Sequence, residues 1–183
     1  FVSAAVGVVF MERVLIVGCP GAGKSTAARQ LAKVTGLPII HLDRHYWKSG
    51  WVRPERDEWR TRVQQLTEQP RWIMDGNYGG SLDLRLPAAD TLLHLDFSTP
   101  VCLTRALRRA LTGLGAQRGE EFDEGCPERL DWAFFRFVLN YRRQQRQRDL
   151  ERLSSFSGTL RRFTAPSQLQ TYLSELEETR GRS

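Results

Sequence analysis

The chain has 183 residues, 40% hydrophobic and 26% charged, with a formal net charge of +6 and three cysteines. That length closes one hydrophobic core unaided, and Cys19, Cys102 and Cys126, odd in number and widely spaced, exclude a disulfide framework or a C-x-x-C zinc site. The positive excess is almost all arginine, since Lys24, Lys33 and Lys48 are the only lysines; it suits an anionic partner or a solvated basic surface, and the lack of a basic leader or an 18-residue apolar run argues for a cytoplasmic protein with no membrane contact.

Residues 1–10 are mildly apolar, and Met11 reads as the natural start, so a single domain over 11–183 is expected. Val14 to Val17 is a short aliphatic run ending at Gly18, followed by a helical stretch from Ser25 to Val34 that Gly36 stops. Leu37 to Leu42 reads as a second strand, and Pro54, at a first helical position, opens a charged helix to about Gln69. Trp72 to Met74 gives a third strand ending at Asp75, and Thr91 to Leu95 a fourth ending at Asp96. Ser98 then caps a helix rich in arginine. Residues 113–127 carry several glycines and both charge signs, which predicts a lid. A long helix is expected from Glu128 to about Leu153, with Leu130, Phe134, Phe137, Val138 and Tyr141 on its apolar side. Thr159 to Thr164 and Ser167 to Glu178 complete the alternation as strand and helix. Strands alternating with helices imply a parallel sheet covered on both faces.

Between the first strand and first helix lies Gly18-Cys19-Pro20-Gly21-Ala22-Gly23-Lys24-Ser25, which fits G-x-x-x-x-G-K-[ST] at every fixed position. Glycines let successive backbone N–H groups face phosphate oxygens beside the positive end of a helix. Lys24 is expected to reach the β and γ phosphates, Ser25 to place a hydroxyl on Mg²⁺, and Thr26 to bond the α phosphate. ATP and Mg²⁺ are the implied ligands.

Such a site needs a carboxylate at a neighbouring strand end to hold the metal. Asp75 and Asp96 compete, and Asp75 is preferred because Trp72-Ile73-Met74-Asp75-Gly76 resembles the hydrophobic-Asp-Gly strand end of adenylate kinases. Asp43 follows the second strand and is a candidate to orient or deprotonate an acceptor hydroxyl. Tyr46, Trp47 and Trp51 either wall the acceptor pocket or pack as core. His41 and His94 read as core histidines, and His45 as surface. Arg105, Arg108 and Arg109 share one helix face leading into the lid, where Arg118 lies. Arg105, Arg109 and Arg118 are candidates to stabilise transferring charge. Arg142, Arg143 and Arg146 could clamp a phosphate from the other side, and Arg85 is a candidate for an anionic acceptor.

The segments His41-Leu42-Asp43, Trp72-Ile73-Met74-Asp75-Gly76-Asn77-Tyr78, Ser81-Leu82-Asp83 and Gly125-Cys126-Pro127-Glu128-Arg129 together resemble one family. It is the group known as DNA topology modulation proteins, related to adenylate and shikimate kinases. The resemblance spans about Val14 to Leu153. It implies a nucleoside-monophosphate-kinase-like fold of five parallel strands in order 2-3-1-4-5 with a lid, and ATP on the phosphate loop. Adenylate kinases carry an aromatic-Pro-Arg after Asp-Gly to grip the acceptor's phosphate. Here Asn77-Tyr78-Gly79 follows, which speaks against AMP. The favoured function is a kinase acting on a small-molecule acceptor; the alternative is an ATP-binding regulator whose basic run, Arg142 to Arg148, contacts nucleic acid.

Overall fold

The structure, a computed structural model, describes residues 11–113 and 132–181. Five strands form one parallel sheet: β1 (Arg13–Gly18), β2 (Ile39–His41), β3 (Trp72–Asp75), β4 (Thr91–Leu95) and β5 (Thr159–Phe163), in the order β2-β3-β1-β4-β5. Their register aligns Ile16 with Asp75, and His41 with Asp75, so the strand ends converge on one edge. Ligands of open α/β sheets bind outside such carboxyl ends.

Helices cover both faces. On β1 the side chains alternate: Val14 and Ile16 join Ala27, Ala28 and Leu31 of α1 (Lys24–Thr35), along with Leu169 and Leu173 of α8 (Pro166–Gly181). Leu15 and Val17 turn the other way, toward Trp59, Val63 and Leu66 of α3 (Arg56–Thr67). A period of two with both phases apolar is the mark of a strand buried on both faces.

Several boundaries differ from the sequence expectation. The second strand is only three residues long, and Leu42 already begins α2 (Leu42–Tyr46), so Asp43 projects from a helical turn rather than from a strand end. Pro54 is not the first residue of α3. Glu55, with an extended backbone, caps it, and Asp57 and Glu58 fill the first turn, where the helix dipole favours acids. The single helix expected up to Leu153 is two: α6 (Trp132–Gln144) and α7 (Arg146–Leu153), parted at Gln145, whose φ is −113°. Phe135, Val138 and Tyr141 are the buried residues of α6, while Phe137 is 42% exposed. Leu130 and most of the expected lid lie outside the described residues. Among the described residues no helix is long and apolar enough to cross a membrane.

Ser98 takes the cap position of α5 (Thr99–Thr112) without a side-chain cap bond. Asp96 does something else. Buried at the end of β4, it accepts from Arg146 Nε at 2.8 Å, Arg146 Nη2 at 2.8 Å and Arg162 Nε at 2.9 Å. Burial pushes its carboxyl up, but the bonds from Arg146 and Arg162 outweigh this and hold it at about 2. Next to it, burial pushes His94 down to about 4.

Both shifts have the same sign for stability. As pH falls below 6.5 the unfolded chain takes up a proton that buried His94 refuses, so stability drains between about 6.5 and 4. The Asp96 contribution is present above its unfolded value near 4 and is lost as pH falls toward 2. Unfolding free energies from urea titration should therefore fall from pH 7 to pH 4 by an amount on the order of 3 kcal/mol, and His94→Gln should flatten that part of the profile. A midpoint unchanged over this range would contradict the neutral burial of His94.

Candidate functional site

The phosphate loop leaves β1 at Gly18 and enters α1 at Lys24. Gly18 has φ +143°, and a Cβ there would stand 2.3 Å from Leu95 O. Gly21 has φ +85°, with a Cβ position 2.4 Å from Cys102 O. Only glycine fits at either place. Cys19 and Ala22 are buried, and Cys19 N–H donates to Leu95 O at 3.3 Å. Pro20 is half-buried and Gly23, at φ +91°, caps α1. Lys24 Nζ turns back into the loop, donating to Gly18 O at 3.1 Å and Cys19 O at 3.3 Å. Thr26 is exposed one residue into the helix beyond Ser25.

Ser25 and Asp75 are brought together: the hydroxyl donates to Asp75 Oδ2 at 2.7 Å. Asp75 Oδ1 is 2.6 Å from His41 Nδ1. A carboxylate only accepts, which places the ring proton on Nδ1. His41 is thus buried and satisfied, as the sequence suggests, yet it orients the carboxylate nearest Ser25. Its place was legible only from the pairing of strand ends β2 and β3. A hydroxyl and a carboxylate are hard oxygen donors, and two protein ligands are a usual complement for Mg²⁺, which keeps several waters.

Beyond β3 the chain turns sharply through Gly76, Asn77 and Tyr78. Gly18 N–H donates to Asn77 Oδ1 at 2.9 Å. The Tyr78 hydroxyl donates to Asp43 Oδ1. Burial, and then the charge of Asp43, push that hydroxyl's pKa up, so it stays a donor. Tyr46 packs its ring 4.5 Å from Tyr78 and 5.0 Å from Trp59, and Trp47 lies 5.4 Å from Trp51. These aromatics form one mutually packed cluster beside Asp43.

Arg85 does not face an acceptor. It ends α4 (Leu82–Arg85) with 0% exposure, and its guanidinium donates to Gly76 O at 3.0 Å, Asn77 O at 2.5 Å, Tyr78 O at 3.0 Å and Ser81 O at 3.4 Å. Burial pulls its pKa down to about 10. Sequence alone shows an arginine ten residues after a site aspartate, but not that its donors are consumed by the turn.

Of the arginines proposed for transferring charge, Arg105 donates to Ala22 O at 2.8 Å and lies over the Phe97 ring, so it braces the phosphate loop. Arg109 lies over the ring of Phe134. Arg118 lies outside the described residues. Arg146 is committed to Asp96, while Arg142 and Arg143 are exposed.

A family model for isopentenyl transferase matches residues 11–49, the span holding β1, the phosphate loop, α1 and Asp43. No curated protein matches the chain in sequence. Among solved structures, a shikimate kinase from Bacteroides thetaiotaomicron covers 92% of this chain and 98% of its own, at 17% identity and TM-score 0.50. A gluconokinase from Sinorhizobium meliloti 1021 covers 94% and 93%, at 16% identity and TM-score 0.49. At 17% identity the likeness to the shikimate kinase structure is one of fold: a five-stranded parallel sheet in the order β2-β3-β1-β4-β5 with helices on both faces.

Arg85→Met keeps the bulk but leaves buried carbonyls of Gly76, Asn77 and Tyr78 without their donor. It should cost at least about 3 kcal/mol in urea unfolding. A loss under about 1 kcal/mol would mean the turn holds itself.

Proposed function

We propose that the chain is an ATP- and Mg²⁺-dependent phosphotransferase that passes the γ-phosphoryl group to a hydroxyl of a small-molecule acceptor. The observation supporting this most directly is the Ser25–Asp75 contact at 2.7 Å beside a loop whose lysine turns back onto the carbonyls of Gly18 and Cys19, with Asp43 on the helical turn that follows β2. Ser25 and Asp75 would hold Mg²⁺, which when bound would neutralise charge on the transferred group.

The remaining chemistry belongs to side chains of the chain itself. Lys24 exchanges the carbonyls of Gly18 and Cys19 for β and γ phosphate oxygens. Asp43 orients the acceptor hydroxyl and takes its proton as that oxygen attacks phosphorus in line with the departing bridge oxygen. Arg105, anchored on Ala22 O, adds positive charge beside the loop, and Arg109 and Arg118 are the further candidates for that work. The commitment of Arg85 to the turn removes a cation that could have gripped an acceptor phosphate, which favours an acceptor alcohol over a nucleoside monophosphate. The alternative, an ATP-binding regulator on nucleic acid, would rest on exposed Arg142, Arg143 and Arg148. Arg146, within the same run, is tied to Asp96 and interrupts that basic face.

Two substitutions test the kinase reading. Lys24→Ala should weaken Mg·ATP binding about tenfold or more by calorimetry. Asp43→Asn should leave that affinity within about twofold while lowering acceptor-dependent ADP release about a hundredfold or more, screened over nucleosides, nucleotides, shikimate-like polyols and sugars. Equal loss of binding and turnover in Asp43→Asn would assign Asp43 a structural role, and a flat acceptor screen with intact ATP binding would refute the kinase.

A further inference from the structure

Within the four-residue run Asp75 to Tyr78, three side chains touch three separate parts of the site. Asp75 accepts from Ser25, Asn77 accepts from the backbone of Gly18, and Tyr78 donates to Asp43. The backbone between them is held in an unusual shape. Gly76 has φ +135° and Tyr78, which is not glycine, has φ +29°, a region that L residues adopt only when surroundings impose it. The surroundings here are the bonds from Arg85 to the carbonyls of Gly76, Asn77 and Tyr78. A displacement of Asn77 therefore cannot be absorbed locally and passes to Tyr78.

At its other end the Asn77 bond meets the first glycine of the phosphate loop, the residue whose carbonyl also accepts from Lys24 at 3.1 Å. When phosphate draws Lys24 away, the carbonyls of Gly18 and Cys19 both lose a partner, and Gly18 is the one of the two bonded to Asn77. Beside the Gly18–Asn77 contact is a cavity of about 10 Å³, lined by Gly18, Asn77, His94, Tyr141 and Asp149 among others, enough for one water. The contact thus has room to shift, on a turn that is rigid beyond it.

We propose that Asn77 is a positioning residue that couples the phosphate loop to Asp43, so that nucleotide on Lys24 resets the Tyr78 arm and the aromatic cluster behind it. The inference rests on the kinase reading of the site. Its chemistry is mechanical: one side-chain amide reads the loop, and one phenol sets the carboxylate that faces the acceptor.

Tryptophan emission reads the coupling, because Trp59 lies 5.0 Å from the Tyr78 ring and Trp47 packs on Tyr46. In a Trp132→Phe background, Mg²⁺ with β,γ-imido-ATP should change the emission, saturating at the dissociation constant found by calorimetry. Asn77→Ala should bind about fivefold more weakly, one hydrogen bond's worth, and lose the emission change. Asn77→Asp, which retains an acceptor oxygen, should restore the change even where its charge weakens binding. Tyr78→Phe should keep the affinity and lose the change, and serves if Asn77→Ala does not fold. A response that survives in both Asn77→Ala and Tyr78→Phe, or nucleotide binding without any response, overturns the coupling alone. Failure of the unsubstituted chain to bind the nucleotide overturns the coupling together with the kinase reading beneath it.

Discussion

Arg85 donates to four carbonyl oxygens within one turn, and the placement of Asp75, Asn77 and Tyr78 depends on that arrangement. A guanidinium taken fully out of water loses several kcal/mol of solvation, so its donors must all be used. Its planar fork lets one side chain satisfy several carbonyls at once, which the point charge of a lysine would do less well. Two further arginines finish the work on the same loop: Arg60 donates to Gly80 O at 2.6 Å and Arg152 to Gly79 O at 3.4 Å. Every carbonyl from Gly76 to Ser81 thus faces an arginine. Arg60 also pairs with Asp83 in a two-pronged contact, fastening α3 to the turn from outside.

The sheet explains why such a turn is needed at that place. Parallel strands bring their carboxyl ends to one edge, but they deliver side chains there only at fixed register: His41 beside Asp75, and Ile16 beside Asp75 on the other flank. Asp43 lies two residues past β2 on a helical turn, outside that register. Something must carry position from the sheet to Asp43, and the Tyr78 hydroxyl does so. Gly18, where the phosphate loop leaves β1, is in register with Leu95 of β4, and Asn77 bonds its N–H as well. The turn after β3 therefore extends the precision of the central strands to Asp43, which no strand places, and adds a second hold on the point where the phosphate loop begins.

What could be read from the sequence follows from this division. The phosphate loop and the Ser25–Asp75 meeting were legible because local pattern dictates them: a glycine-rich loop between an aliphatic run and a helix, and an aspartate at a strand end. The strand order, by contrast, was legible only through the family resemblance. The three-residue β2 was overextended to Leu42, because a buried helical start and a buried strand end look the same in an apolar run. The break at Gln145 was invisible, since arginine and glutamine are good helix formers on either side and the interruption comes from tertiary packing, with the Tyr141 hydroxyl bonded to Asp149 across it at 2.7 Å. Arg85 was misassigned for a related reason. Its chemistry as an anion binder is intrinsic, whereas its use on carbonyls is decided by a fold that removes it from solvent. Asn77 stood in a conspicuous run, Asp-Gly-Asn-Tyr, but its partner is a backbone N–H 59 residues away.

The arginine excess also changes meaning once each guanidinium is followed to its partner. Arg85 serves the turn, Arg146 and Arg162 balance Asp96, Arg60 balances Asp83, and Arg105 braces the phosphate loop. A net charge of +6 therefore does not translate into a free basic surface of that size. Much of it is fixed as positive charge around the carboxyl edge, where it raises the local potential without offering loose side chains to a partner. Under the kinase function proposed above, a field built from committed arginines would favour phosphate that arrives with the nucleotide, while discriminating poorly among acceptor charges. On the proposed kinase reading, selectivity for the acceptor would then come from shape and from the hydroxyl geometry that Asp43 can accept, with the aromatic cluster of Tyr46, Trp47 and Tyr78, rather than a cationic clamp, as the proposed specificity-determining wall.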